Sequence, residues 1–254
     1  KRDIAGSELI EVAIIAMGRY GGRELGLSSD IDVLWDFRDL SAADNAHQIA
    51  NLFPHRIAEL TEDLSYPFEL DAGLRPEGKN GPLIRSLDAY RAYYEKWSDI
   101  WETQALVRAE AIAGDASLMK DFDEMVEGIR YTAKLKDEDL REIRRIKSRV
   151  ETERLPFGAD PKRHAKLGPG SLSDVEWLVQ LIQLQNGQSL EGLRTPSTVR
   201  ALNAAVEARL VSDADAADLL AAWQIASSVR TANTLFTGKA SDMLPIDRME
   251  LEGV

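Results

Sequence analysis

Met17–Asp36 reads MGRYGGRELGLSSDIDVLWD. The residues leading into it, Glu11–Met17 (EVAIIAM), form a short apolar run rich in β-branched side chains, which predicts a buried strand. Gly18, Gly21, Gly22 and Gly26 then interrupt regular structure and permit positive φ. Ile31–Phe37 (IDVLWDF) predicts a second strand. Residues two apart on a strand share a face, so Asp30 and Asp32 point the same way while Ile31, Val33 and Trp35 face the core. Two adjacent carboxylates repel each other unless a cation lies between them. Mg²⁺ suits that place because it takes carboxylates and phosphate oxygens together. The turn can present backbone N–H groups and the Ser28 and Ser29 hydroxyls to phosphates. Strand, Gly-rich turn and acid-headed strand together predict a pocket for a nucleoside triphosphate and its metal.

A two-metal phosphoryl-transfer site usually needs a third carboxylate. Asp71, in FELDAGLRPEGKNGPLIRS, is the candidate, on a strand expected over Phe68–Leu74. It lies 39 residues after Asp32, room for a helix and a return strand. That helix is predicted over Ala42–Leu60, with Ile49, Phe53, Ile57 and Leu60 on one side and a kink or break at Pro54. Arg75 and Lys79 flank the third strand and can neutralise phosphate charge.

Composition narrows the choice of substrate. A chain of 254 residues, 44% hydrophobic and 29% charged, is globular and large enough for one large domain or two smaller ones. It has no cysteine, hence no disulfide and no thiolate metal site, which fits a reducing, cytoplasmic setting. No apolar run approaches the ~20 residues needed to span a bilayer, and no signal peptide is visible. The net charge of −12 disfavours a nucleic-acid template and favours a protein or small-molecule acceptor. His47, His55 and His164 have no metal-ligand spacing.

The chain changes character near Ser86. Residues 1–86 alternate short strands and loops around one helix; residues 87–254 are helical in pattern. Ser86 is placed to cap a helix over Leu87–Trp97. A further helix is expected over Glu102–Ala113, with Asp115 capping the next. Asp137–Leu155 reads as a charged helix with an apolar stripe of Leu140, Ile143, Ile146 and Val150. Its Arg141, Arg144, Arg145, Lys147 and Arg149 form a basic stretch, either a solvated face or a contact for phosphates or an acidic partner. Val175–Gln185, Ser197–Leu210 and Asp213–Phe236 complete the set, with a capping box at Ser212 and Asp215 and with Leu219, Leu220, Trp223 and Ile225 in the core. The fold class is α+β: a small mixed sheet carrying the site, then a helical bundle that covers the cleft and docks a partner.

GRYGGRELGLSSDID resembles the signature of the nucleotidyltransferase superfamily to which DNA polymerase beta belongs. More narrowly, that stretch together with LDAGLRPEGKNGPL (70–83), WETQALVRAEAIAGD (101–115) and KLGPGSLSDVEWLVQLIQL (166–184) resembles glutamine synthetase adenylyltransferase. The motifs occur in order through most of the chain. The family often has Arg where Gly73 stands, and a Gly-Gly pair where Gly170–Ser171 stands. The resemblance implies a polymerase-beta-like sheet domain and AMP transfer from ATP to a tyrosine of glutamine synthetase. It implies Mg²⁺ on Asp30, Asp32 and Asp71, and a PII-type signalling protein as a further partner. The family carries two such domains in tandem, and RYTAKLKDEDLREIRRIKSRVETERLPFGADPKRHAKLG looks more like the C-terminal, AMP-attaching half. Two rival readings stay open: the AMP-removing, phosphorolytic half, and a non-catalytic domain that binds nucleotide or a signalling protein.

Overall fold

A computed structural model describes residues 4–27, 29–42, 44–61, 70–131 and 135–253. They fall into two compact units: residues 1–23 with 30–132, and residues 24–29 with 133–254.

The first unit is built on β1 (Ile10–Ala16), which leads through a single turn, α1 (Gly18–Gly21), and on to β2 (Ile31–Asp39). The two strands pair antiparallel, Ile10 opposite Asp39 and Ala16 opposite Val33. After α2 (Ala46–Thr61), β3 (Leu70–Asp71) and β4 (Ile84–Ser86) both join β2 in parallel, β3 at its start and β4 further along. Phe68, where the third strand was expected to begin, lies outside the described residues. Helices α3 (Leu87–Lys96) and α4 (Ile100–Leu106) follow, then β5 (Glu110–Gly114) and α5 (Ala116–Arg130). The sheet order is β3-β2-β1-β5, a small mixed sheet of the kind the sequence indicates.

Both faces of the sheet are covered, which explains why β1 reads as a continuous apolar run rather than an alternating one. On one face Val33, Trp35 and Phe37 pack against Ile49, Ala50 and Phe53 of α2. On the other, Ala13, Ile15 and Leu34 pack against Leu87, Tyr90, Leu118 and Phe122 of α3 and α5. The Tyr90 hydroxyl, buried in that second layer, donates to Trp35 O at 3.0 Å. The first unit therefore includes the helices up to Arg130.

Some sequence expectations are corrected here. The helix drawn over Glu102–Ala113 ends at Leu106, and Glu110–Gly114 is a strand on the free edge of β1. Its alanines favour a helix locally, but pairing Ala111 with Ile15 overrides propensity. Pro54 does not divide α2, which runs through it as one element. Leu60 and Ile225, expected on packed faces, are 63% and 64% exposed. Ser86 caps α3 as expected, its Oγ accepting from Ala89 N at 3.3 Å. Asp115 does precede α5, but its carboxylate accepts instead from Val12 N at 2.9 Å and ties the helix start to β1.

The second unit consists of α6 (Asp137–Glu153), α7 (Leu172–Asn186), α8 (Thr198–Glu207), α9 (Asp213–Thr237) and α10 (Arg248–Gly253), with the segment 24–29. Val175 and Val179 of α7 and Ala201 and Leu202 of α8 form its core, flanked by Leu219, Leu220 and Trp223 of α9. Ser212 caps α9, accepting from Asp215 N at 3.1 Å. The buried Arg230 of α9 pairs with Asp242 at 2.5 Å, and Asp242 O accepts from Ala165 N at 2.8 Å in the loop before α7, where His164 Nδ1 also accepts from Leu167 N at 3.0 Å. Among the described residues no helix is long and apolar enough to cross a membrane.

Candidate functional site

The site begins where β1 ends. Met17 N donates to Asp32 O at 2.9 Å, so the chain leaves β1 still tied to β2. Gly18 turns with φ +52, and a Cβ there would stand 2.6 Å from Asp32 Oδ2. Glycine is thus required both for the dihedral and for the space the carboxylate occupies. At Gly21 a Cβ would meet the Arg108 carbonyl oxygen at 1.8 Å, because the backbone before β5 crosses there. The amides of Gly21 and Gly22 donate within the turn, to Met17 O at 2.9 Å and Gly18 O at 3.2 Å. These glycines therefore serve close backbone approach, their own N–H groups being committed.

β3 supplies the third carboxylate. Its parallel register sets Asp71 opposite Asp32, with Leu70 opposite Ile31. Side chains in register on neighbouring strands share a face about 4.8 Å apart. Asp30, expected to open β2, falls one residue before it and is exposed, whereas Asp32 lies on the strand and is half-buried. Asp71 Oδ1 accepts from Gly73 N at 2.7 Å, and its Oδ2 has no partner among the described residues. A Cβ on Gly73 would press on Asp71 Oδ1 at 2.9 Å, so the glycine at this position suits a tight turn around that carboxylate.

Among the described residues no group of three or more acidic or histidine side chains could hold a metal alone. Mg²⁺ seldom needs such a cage, taking one or two carboxylates together with substrate phosphates and waters. The Asp32–Asp71 pair, with Asp32 Oδ2 packed against Gly18, has the donor chemistry for it.

The loop after Asp71 is held from inside by Arg75. Its Nη1 donates to Ala72 O at 2.8 Å, Nη2 to Lys79 O at 3.1 Å and Nε to Gly81 O at 3.1 Å. Glu77, in the left-handed region at φ 64, pairs with Arg85 at 2.5 Å. Lys79 is exposed on the one-turn helix Gly78–Asn80. In the other unit, Ser29 Oγ accepts from Gly26 N at 2.9 Å, while Ser29 N donates back to Gly26 O at 3.0 Å. Also there, Glu24 Oε1 accepts from Ser197 Oγ at 3.0 Å, at the start of α8. Ser28 lies outside the described residues.

Some polar groups of the first unit escaped the sequence reading. Arg19, within the Gly-rich turn, and Arg108, beside Gly21, are buried; their signal was their place inside GRYGG and LVRAE. Asp36, on the same face of β2 as Asp32, is fully buried, and neither carboxylate oxygen has a hydrogen-bond partner. Burial pushes its pKa up to about 8, against weaker pulls from the Phe37 amide and the Arg38 guanidinium. Near neutral pH it therefore holds a proton. Its alternation with Asp30 and Asp32 was the available signal.

Residues 3–125 match the family model described as glutamate-ammonia ligase adenylyltransferase, and residues 139–253 match that of GlnD PII-uridylyltransferase. A protein of Leifsonia xyli subsp. xyli named bifunctional glutamine synthetase adenylyltransferase/adenylyl-removing enzyme is 55% identical over 246 residues, 96% of this chain and 24% of the relative. Proteins of the same name from Streptomyces coelicolor and Mycobacterium tuberculosis are 50% and 46% identical, over 95% and 96% of this chain. In both, 25% of the relative is covered, so the chain spans about a quarter of the curated relatives it matches. By its sheet-bearing region and by this identity, the chain belongs to the glutamate-ammonia ligase adenylyltransferase family.

Proposed function

We propose that this chain transfers AMP from ATP to a tyrosine of glutamine synthetase and so controls nitrogen assimilation. The observation that carries the reading is the register of Asp71 beside Asp32, next to a glycine turn whose Gly18 leaves space at Asp32. Asp32 and Asp71 would hold Mg²⁺ together with the triphosphate's own oxygens, with Asp30 next along the chain; the ion would neutralise triphosphate charge and lower the pKa of an attacking hydroxyl. Asp71 takes the proton from the tyrosine oxygen as that oxygen attacks the α-phosphorus; the α–β bridging bond breaks and pyrophosphate leaves. The turn from Gly18 to Gly22 is the backbone assigned to lie against the triphosphate. Lys79 adds a cation at the loop tip, and Arg75 shapes the loop that carries it.

The helical part is assigned to partner docking. Its match to a PII-uridylyltransferase model supports a PII-type signalling protein beside glutamine synthetase. A cytoplasmic location goes with that substrate. The relatives' double name favours one second reading: the same residues running phosphorolysis, with phosphate displacing tyrosine from AMP to give ADP.

The test uses ATP labelled at the α-phosphate. Label should pass to unmodified glutamine synthetase with the wild-type chain and Mg²⁺, and Asp32→Asn should abolish transfer while its circular dichroism is unchanged. A folded Asp32→Asn chain that still transfers label would refute the assignment.

A further inference from the structure

The helical unit carries a groove that the nucleotidyl chemistry does not use. It runs between α7 and α9 with a volume of about 720 Å³. Val175, Leu178 and Ile182 form one wall at helical spacing, and Leu219 and Ala222 belong to the other, with Leu210 at the edge. Lining positions on each helix span about two turns, roughly 10 Å of wall. Leu178 and Leu210 are 40% and 41% exposed, so apolar surface remains in water. The charged lining has one sign: Asp174, Asp215 and Asp218, with no Lys or Arg among the lining residues. Lys147 meets Asp174 at 2.5 Å and the Ser212 hydroxyl donates to Asp215 at 2.7 Å. Asp218 is exposed and has no ion pair among the described residues.

We infer that this groove docks an amphipathic helix whose apolar stripe is flanked by Lys or Arg. Two helical walls of equal length accept apolar side chains at i, i+3 or i+4, and i+7, the pattern of helix-in-groove recognition. Asp215 and Asp218, which have no ion pair among the described residues, select against an acidic partner and steer a basic one. The inference stands independently of the reaction proposed for the sheet unit.

Two labelled helical peptides of about 15 residues are titrated against the chain by fluorescence anisotropy. Both carry the same leucine stripe; one has lysines elsewhere and the other glutamates. Leu178→Ser alters the floor and Asp218→Lys the rim, both at exposed positions, with folding checked by circular dichroism. The lysine peptide should bind, weakening with salt, and each substitution should weaken it about fivefold or more. No binding, equal binding of the glutamate peptide, or full affinity in both variants would overturn the inference. So would self-association of the chain that both variants abolish, which would make a second copy the occupant.

Discussion

Asp36→Asn should make the sheet unit more stable as pH rises. Asp36 is fully buried with both oxygens unpartnered, and burial raises its pKa from 3.8 to about 8. The sign follows from linkage. The unfolded chain releases this proton near pH 3.8, while the folded chain keeps it until about pH 8. Stability is therefore complete below the unfolded pKa and declines as pH rises towards the folded one. Each pH unit in that window costs about 1.4 kcal/mol, on the order of 4 kcal/mol by pH 7. That is a large fraction of the 5–15 kcal/mol of a typical domain. Asparagine does not titrate, and its own unpartnered amide adds only a penalty independent of pH. Urea unfolding of both proteins from about pH 5 to about pH 7 should show the difference in stability moving by roughly 3 kcal/mol in favour of the variant. Parallel pH profiles would refute the buried, protonated carboxylate.

Further outcomes follow from the same contacts. Gly21→Ala, with a Cβ 1.8 Å from Arg108 O, should cost about 3 kcal/mol or more in unfolding free energy. Gly128→Ala on α5, where a Cβ meets nothing within 4 Å, should instead stabilise by about 0.5–1 kcal/mol. Arg75→Lys replaces a three-carbonyl clamp with a single point donor; faster proteolysis within residues 72–81 should result, and unchanged cleavage would contradict the clamp. Burial lowers the pKa of His164 below 6.5, and its Nδ1 accepts backbone amides. Its contribution to stability is thus complete above about pH 6.5 and falls as pH drops below it, a decline that His164→Gln should remove in acid urea titrations.

Much of the site was legible because strand alternation and glycine chemistry are local. Asp32 could be placed on its strand from the period of two and Gly18 from the need for positive φ, and β1 and β2 formed where the apolar runs lie, although β2 starts at Ile31, one residue after Asp30. Asp71 could be nominated from its strand-like setting, but its register against Asp32 is a long-range pairing. The same holds for β5: Glu110–Gly114 has the alanine content of a helix, and only the free edge of β1 makes it a strand. Arg75 looked like a phosphate ligand because charge beside a turn is visible in sequence, whereas its hydrogen bonds to Ala72, Lys79 and Gly81 carbonyls are not. Asp36 passed as one residue of an apolar strand, since burial on both faces of a sheet is set by helices distant in sequence.

Intact mass of unmodified glutamine synthetase, after incubation with this chain, ATP and Mg²⁺, tests the proposed transfer most directly. The account predicts a gain of one AMP per subunit with the wild type and none with the Asp30→Asn, Asp32→Asn double variant. No gain with ATP, together with loss of AMP from adenylylated glutamine synthetase in phosphate, would reverse the proposed direction; silence in both would contradict catalysis by this chain.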